Sequence, residues 1–227
     1  PCLHAGIKDP VAVKGVFDLR MSTDEEFIYR LRGQWEFYWN KMLHPADFEG
    51  PDRIKPDYYG LVPSYWTDYP SDSVGTTPMG YATYRAVVLL PPGFRKVMGF
   101  DMPVFDSSYE IYINGKKMAG NGTPGTSEAE TVPAYQRNFF RFVPERDTID
   151  IVINVANFHH RRGGFWLPMK IGTFNAVQKR LSLSWAGDWG TLSFLLGYSL
   201  LFFLFYLLYI KDNLMAFFSI ATIGLAI

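Results

Sequence analysis

The chain has 227 residues, with 22 basic and 22 acidic side chains and one cysteine. The balanced charge argues against a nucleic-acid binder, which would carry a basic excess; one cysteine excludes a disulfide-stapled fold and a paired-cysteine metal or redox site. Aromatics at 17% are too many for a disordered chain, and the charges are unevenly spread, because residues 190–227 hold only Lys211 and Asp212.

Residues 1–5, Pro1-Cys2-Leu3-His4-Ala5, read as the remnant of a signal peptide with a cleavage point after Ala5. Pro1 is the wrong neighbour for a lipid-modified Cys2. From 6 to 172 the pattern is one of short alternating runs separated by Gly, Pro, Asn and Asp, which predicts strands and almost no helix. Strands are expected at Val13 to Leu19, at Phe27 to Asn40 with a bulge or bend at Gly33, and at Gly80 to Leu90. Pro45 to Phe48 reads as a turn or one helical turn, and Tyr58 to Tyr69, which contains proline, as an edge strand or ordered loop. Val97 to Phe105 is a further strand. Tyr109 to Ile113 meets Asn114-Gly115, the dipeptide whose two positive φ angles favour a tight hairpin. Asn138 to Val143 and Thr148 to Asn157 follow; in the latter Ile149, Ile151, Ile153 and Val155 share one face. Gly163-Gly164 turns the chain into Phe165 to Ile171, and Phe174 to Ser184 reads as a short connecting helix. Eight or nine strands without helical crossovers predict an antiparallel sandwich or barrel, with a jelly-roll sandwich over 6–172 as the first choice.

The membrane end begins after a connector at 173–189. Gly190 to Ile210 is an uncharged run that spans about 30 Å as a helix, the thickness of a hydrocarbon core. Trp185, Trp189, Tyr206 and Tyr209 flank it as interfacial aromatics do. After the polar break Lys211-Asp212-Asn213, residues 214–227 read as the start of a second membrane helix. The expected piece is the front of a longer polytopic protein, and Lys211 favours that loop facing the cytosol.

A sugar site in a β-sandwich needs an aromatic platform and planar hydrogen-bonding groups. Trp66, Tyr84, Arg85, Asn157, His159, Arg161 and Trp166 are the candidate ligand-binding residues. The competing reading makes Trp35, Trp39, Trp66 and Trp166 core or edge packing. His159 and His160 are adjacent, so on a strand they point to opposite faces and do not share a metal ion. Beside Arg161 and Arg162 they form a basic loop that is solvated or meets an acidic ligand, lipid or partner. Glu128 and Glu130 read as a solvated loop rather than a catalytic pair, and no nucleophile, zinc or phosphate-loop motif is present. Asn121-Gly122-Thr123 matches a glycosylation sequon, but its glycine-rich setting fits a tight turn better.

Three segments in order resemble the N-terminal sugar-binding jelly roll of β-galactosidase-type glycoside hydrolases: Gly80 to Arg85 entering a strand, the Tyr109 to Lys116 hairpin, and Asp150 to Asn157. Three others resemble the exported region of bacterial seven-transmembrane receptors with diverse intracellular signalling modules. They are Leu31 to Trp39, Asn157 to Gly164, and Tyr209 to Leu214 at the membrane junction. The first resemblance implies a galactose-binding-like fold. The second implies a non-catalytic sensor domain facing the periplasm or exterior of a bacterial inner membrane. It would take a carbohydrate or other small molecule and relay to an intracellular module in cis, with a homodimer as one arrangement; no cofactor or metal is expected. Two alternatives stand beside it: the non-catalytic sugar-binding domain of a membrane-tethered glycoside hydrolase, and a protein-docking module.

Overall fold

A computed structural model describes residues 9–21, 25–51, 53–70, 74–105, 107–208 and 213–226. The leader remnant expected at 1–5, Tyr209 and the Lys211-Asp212 break lie outside the described residues. The chain divides into two compact units, Pro1–Val177 and Gln178–Ile227.

The first unit is mainly β. Its strands are β1 (Val11–Ala12), β2 (Val16–Asp18), β3 (Ile28–Arg30), β4 (Arg32–Trp39), β5 (Tyr58–Val62), β6 (Ser64–Tyr65) and β7 (Gly80–Leu89). Then come β8 (Met98–Met102), β9 (Ser108–Ile113), β10 (Lys116–Asn121), β11 (Asn138–Phe142), β12 (Thr148–Asn157), β13 (Gly164–Phe165) and β14 (Lys170–Thr173). The large sheet runs β1-β4-β7-β12-β9-β10, with β2 added on β7 and β5 on β4. The small sheet runs β11-β8-β14-β3, and β13 pairs with β6 alone. Alternation in β12 fixes its facing: Ile149, Ile151, Ile153 and Val155 meet Tyr84 and Ala86 of β7, and Met98, Phe100 and Ile171 of the small sheet, in one core. Each such side chain, fully buried, contributes roughly 2 kcal/mol of apolar transfer.

Several expected strands are broken by local geometry. The run Val13 to Leu19 is interrupted at Lys14-Gly15, where both residues take positive φ, leaving β1 and β2 as short strands. The run Phe27 to Asn40 breaks at Leu31, so that β3 joins the small sheet and β4 the large one. At Gly33 a Cβ would lie 2.5 Å from the Ala12 backbone, which explains the glycine where β1 comes alongside. β1 and β2 pair in parallel with β4 and β7, so the ladders are not all antiparallel. Many two- and three-residue strands raise the number to fourteen among the described residues.

The outer faces are also used. Over the large sheet, Tyr38, Phe48 and Val152 form a second cluster with Leu43, Ile54 and Tyr112. Thr83 anchors the covering segment: its hydroxyl accepts from the Leu43 amide at 2.9 Å and lies 2.8 Å from the Lys41 carbonyl. On the small sheet, Asp101 is 2% exposed and pairs with Arg137 through two 2.9 Å bonds and with Lys170 at 3.1 Å. Burial raises the Asp101 carboxyl, but the Arg137 hydrogen bonds and the two cations outweigh it and leave it below 3.8. A carboxylate with a depressed folded value contributes stability that is present above its unfolded value and lost as pH falls through the folded one. Acid titration of the full chain in detergent should therefore show a loss of stability below pH about 4. Asp101→Asn should flatten that slope and lower neutral stability by about 2 kcal/mol. An unchanged slope in the variant would remove Asp101 as the cause.

The helix α1 (Phe174–Leu208) follows β14 directly, and α2 (Asn213–Ala226) comes after it. The short connecting helix and the apolar run are thus one 35-residue helix. It is the one helix among the described residues long and apolar enough to cross a membrane, and only 6% of its apolar window is buried. A core helix of a soluble protein would be mostly buried. Ser199 on α1 and Ser219 on α2 donate to each other's backbone carbonyls at 2.9 and 3.0 Å. Small hydroxyls of this kind hold helices together where the surroundings are apolar.

Candidate functional site

The loop after β12 is built by Asn157. Its side-chain amide donates to the Pro78 and His160 carbonyls at 2.9 and 2.7 Å, and its oxygen accepts from the His160 amide at 3.0 Å. Gly163 then passes so close to Trp66 that a Cβ would lie 2.2 Å from the indole ring. β13 pairs with β6 at this point and sets Trp166 against Tyr65, with ring centroids 5.6 Å apart and planes 28° apart. The His160 ring stacks on Trp166 at 6.0 Å and 22°. The Arg162 guanidinium lies 4.8 Å from the Tyr65 ring centre. Buried Phe105 meets Trp166 edge-on from below. The result is a half-exposed shelf of rings with Arg162 at its edge, and His159 and Arg161 are exposed neighbours in the same loop. Such a shelf offers apolar ring faces and cationic donors together.

The structure divides the seven nominated residues. His159, Arg161 and Trp166 lie on or beside the shelf, and Asn157 is buried beneath as its staple. Trp66 and Tyr84 are fully buried and bonded to each other, indole N–H to phenol oxygen at 2.8 Å. Burial, reinforced by Tyr69, pushes the Tyr84 phenol well above its ordinary value, so it acts as a neutral hydrogen-bonding group. Arg85 is on the opposite face of β7. It pairs with Glu36 at 3.1 Å and Asp150 at 2.8 Å, and its guanidinium lies over Phe48. Burial holds the Asp150 carboxyl above its ordinary value, and the Glu36 charge adds to this against the pull of Arg85. Tyr65, His160 and Arg162 complete the shelf and were not nominated. The signal for Tyr65 is its place in an aromatic, proline-containing segment, but only the β6–β13 pairing brings it to Trp166.

The other flagged motifs are structural. Asn121 is fully buried and donates to the Phe105, Ser107 and Ala134 carbonyls, at 3.2, 3.0 and 2.7 Å, while accepting from the Gln136 amide. Glu130 closes its own loop by accepting from the Thr126 amide and hydroxyl. A polar cavity of about 160 Å³ at the Asn114-Gly115 end is lined by Glu49, Glu145, Arg146 and Asp150. Among the described residues, no group of three or more His, Cys, Asp or Glu is placed to hold a metal ion.

No family model matches the chain, and no curated protein matches it. Among solved structures it is similar to domains of glycoside hydrolase family 2 enzymes. A β-galacturonidase from Eisenbergiella tayi bound to galacturonate gives a TM-score of 0.44 at 14% identity, covering 65% of this chain and 24% of that one. A β-glucuronidase from Ruminococcus gnavus in complex with D-glucuronic acid gives 0.49 at 15% identity, covering 66% and 30%. A β-glucuronidase from Bifidobacterium dentium gives 0.47 at 12% identity, covering 69% and 31%. The chain spans between about a quarter and a third of the length of these enzymes, and no conclusion about activity rests on a likeness at this level.

Proposed function

We propose that the chain is the ligand-binding region and first membrane segment of a bacterial signalling receptor. Its jelly-roll, galactose-binding-like sandwich faces the periplasm or exterior and takes a carbohydrate or other small molecule on the Tyr65–Trp166 shelf. The role proposed for the region is binding and not catalysis, with rings, imidazoles and guanidiniums as the groups that meet the ligand. Output passes to an intracellular module in cis. The observation that carries this reading is a half-exposed, cation-flanked aromatic shelf in a sandwich whose last strand runs directly into a membrane-length apolar helix.

The test is thermal unfolding of the full chain in lipid nanodiscs against a panel of neutral and acidic monosaccharides and short glycans. A ligand that binds the folded state alone raises the midpoint with its concentration. At least one panel member should do so, and Trp166→Ala should weaken it by roughly tenfold or more, as expected for losing about 1.4 kcal/mol of stacking. A folded chain that responds to nothing, or responses indifferent to Trp166, would sink the shelf as the binding site and favour a protein-docking surface.

A further inference from the structure

We infer that the ligand of this shelf carries a negative charge beside a pyranose-sized ring. The inference rests on the reading that the Tyr65–Trp166 shelf binds a small molecule, and names its chemical class. No acidic residue occurs between Asp150 and Asp188, a stretch that contains the whole loop His159-His160-Arg161-Arg162. Several arginines of the sandwich are met by carboxylates, Arg20 by Asp18, Arg53 and Arg85 by Glu36, Arg95 by Asp147 and Arg137 by Asp101, and the loop has no such residue of its own to offer. Arg161 and Arg162 are adjacent, exposed, and without a carboxylate partner among the described residues.

The carboxylate beside β6, Asp68, is exposed and engaged locally. It accepts from the Ser64 hydroxyl at 3.1 Å and the Tyr65 amide at 3.2 Å. It therefore braces the strand that carries Tyr65, and among the described residues it forms no ion pair with Arg161 or Arg162. Arg162 lies with its guanidinium by the Tyr65 ring, a placement that leaves a planar fork of N–H donors at the rim of the shelf. Such a fork matches a carboxylate or phosphate, which accepts two parallel hydrogen bonds. A sugar ring on Trp166 with an acidic group reaching Arg161 and Arg162 uses both halves of the site. A neutral sugar offers those donors only hydroxyls, whereas an acidic group also answers the charge of two neighbouring cations.

The experiment compares four probes on the full chain in nanodiscs: glucose, glucuronate, glucose 6-phosphate and inorganic phosphate. The first three share a ring and differ in charge; the last carries charge without a ring. Glucuronate or glucose 6-phosphate should bind at least about tenfold more tightly than glucose, a difference of about 1.4 kcal/mol. The preference should shrink as salt is raised and disappear in the Arg161→Gln, Arg162→Gln double variant, to which glucose and glucuronate should bind equally. Glucose binding as tightly as its acidic counterparts would overturn the charge inference and leave the shelf as a sugar site. Inorganic phosphate binding as tightly as glucose 6-phosphate would overturn the ring requirement and mark a free-anion site. No response to any probe from folded protein would overturn the shelf reading itself, and this inference with it.

Discussion

Trp66→Ala is expected to lower the stability of the sandwich by about 4 kcal/mol, a drop in melting midpoint of roughly 10 °C. The indole has no exposed surface and lies in the main core. It meets Trp39 edge-on at 5.0 Å and donates to the Tyr84 hydroxyl. Gly163 is pressed against its ring, so neighbouring backbone cannot close much of the space that truncation leaves. Trp66→Phe keeps most of the ring and loses the N–H donor. Tyr84 keeps its contact with Tyr69 at 3.3 Å, so this milder change should cost about 1.5 kcal/mol. Urea unfolding of the full chain in detergent measures both. If Trp66→Ala removed ligand binding while stability stayed within about 0.5 kcal/mol of the parent, the indole would be a binding group and not a core element.

Arg85→Ala should cost about 3 kcal/mol, because it leaves Glu36 and Asp150 with less compensation in a buried setting. Glu36 is 7% exposed and also pairs with Arg53, which limits the loss. The diagnostic measurement is a double-mutant cycle with Glu36→Gln. Removing both charges should cost less than the sum of the single changes, since each single variant strands the other partner. Additive losses would show that the pair is not energetically coupled. Binding at the shelf should survive in Arg85→Ala, since Arg85 points from the other face of its strand.

That last point was available from the sequence. Tyr84 and Arg85 are adjacent on a strand, and adjacent residues point to opposite faces. The alternation rule forbids Tyr84 and Arg85 on β7 from sharing one site, whereas His159 and His160, to which the sequence reading applied it, lie in the loop after β12, where it does not hold. Local pattern was enough wherever one element decides its own shape. The alternation of β12, the Asn114-Gly115 turn and the apolar course of α1 lie where the sequence places them. What local pattern does not carry is contact across long chain separation. Trp66 meeting Gly163, Tyr65 meeting Trp166, and Asn121 binding carbonyls on both sides of it depend on how distant strands register. The break at Leu31 is invisible for the same reason. The run on either side is equally strand-like, and only the existence of two sheets requires the chain to change layer there.

The junction between β14 and α1 has a mechanical consequence. β14 is an inner strand, paired with β8 on one side and β3 on the other. Its final residues stay bonded to both neighbours: the Thr173 amide to the Phe27 carbonyl at 3.0 Å, and the Phe174 amide to the Val97 carbonyl at 2.9 Å. A load borne by the helix therefore enters the sandwich at a strand bonded on two sides. An edge strand would offer hydrogen bonds on one side only. Eight residues upstream along the same short path lies Trp166, so the shelf and the helix are the two ends of one tether.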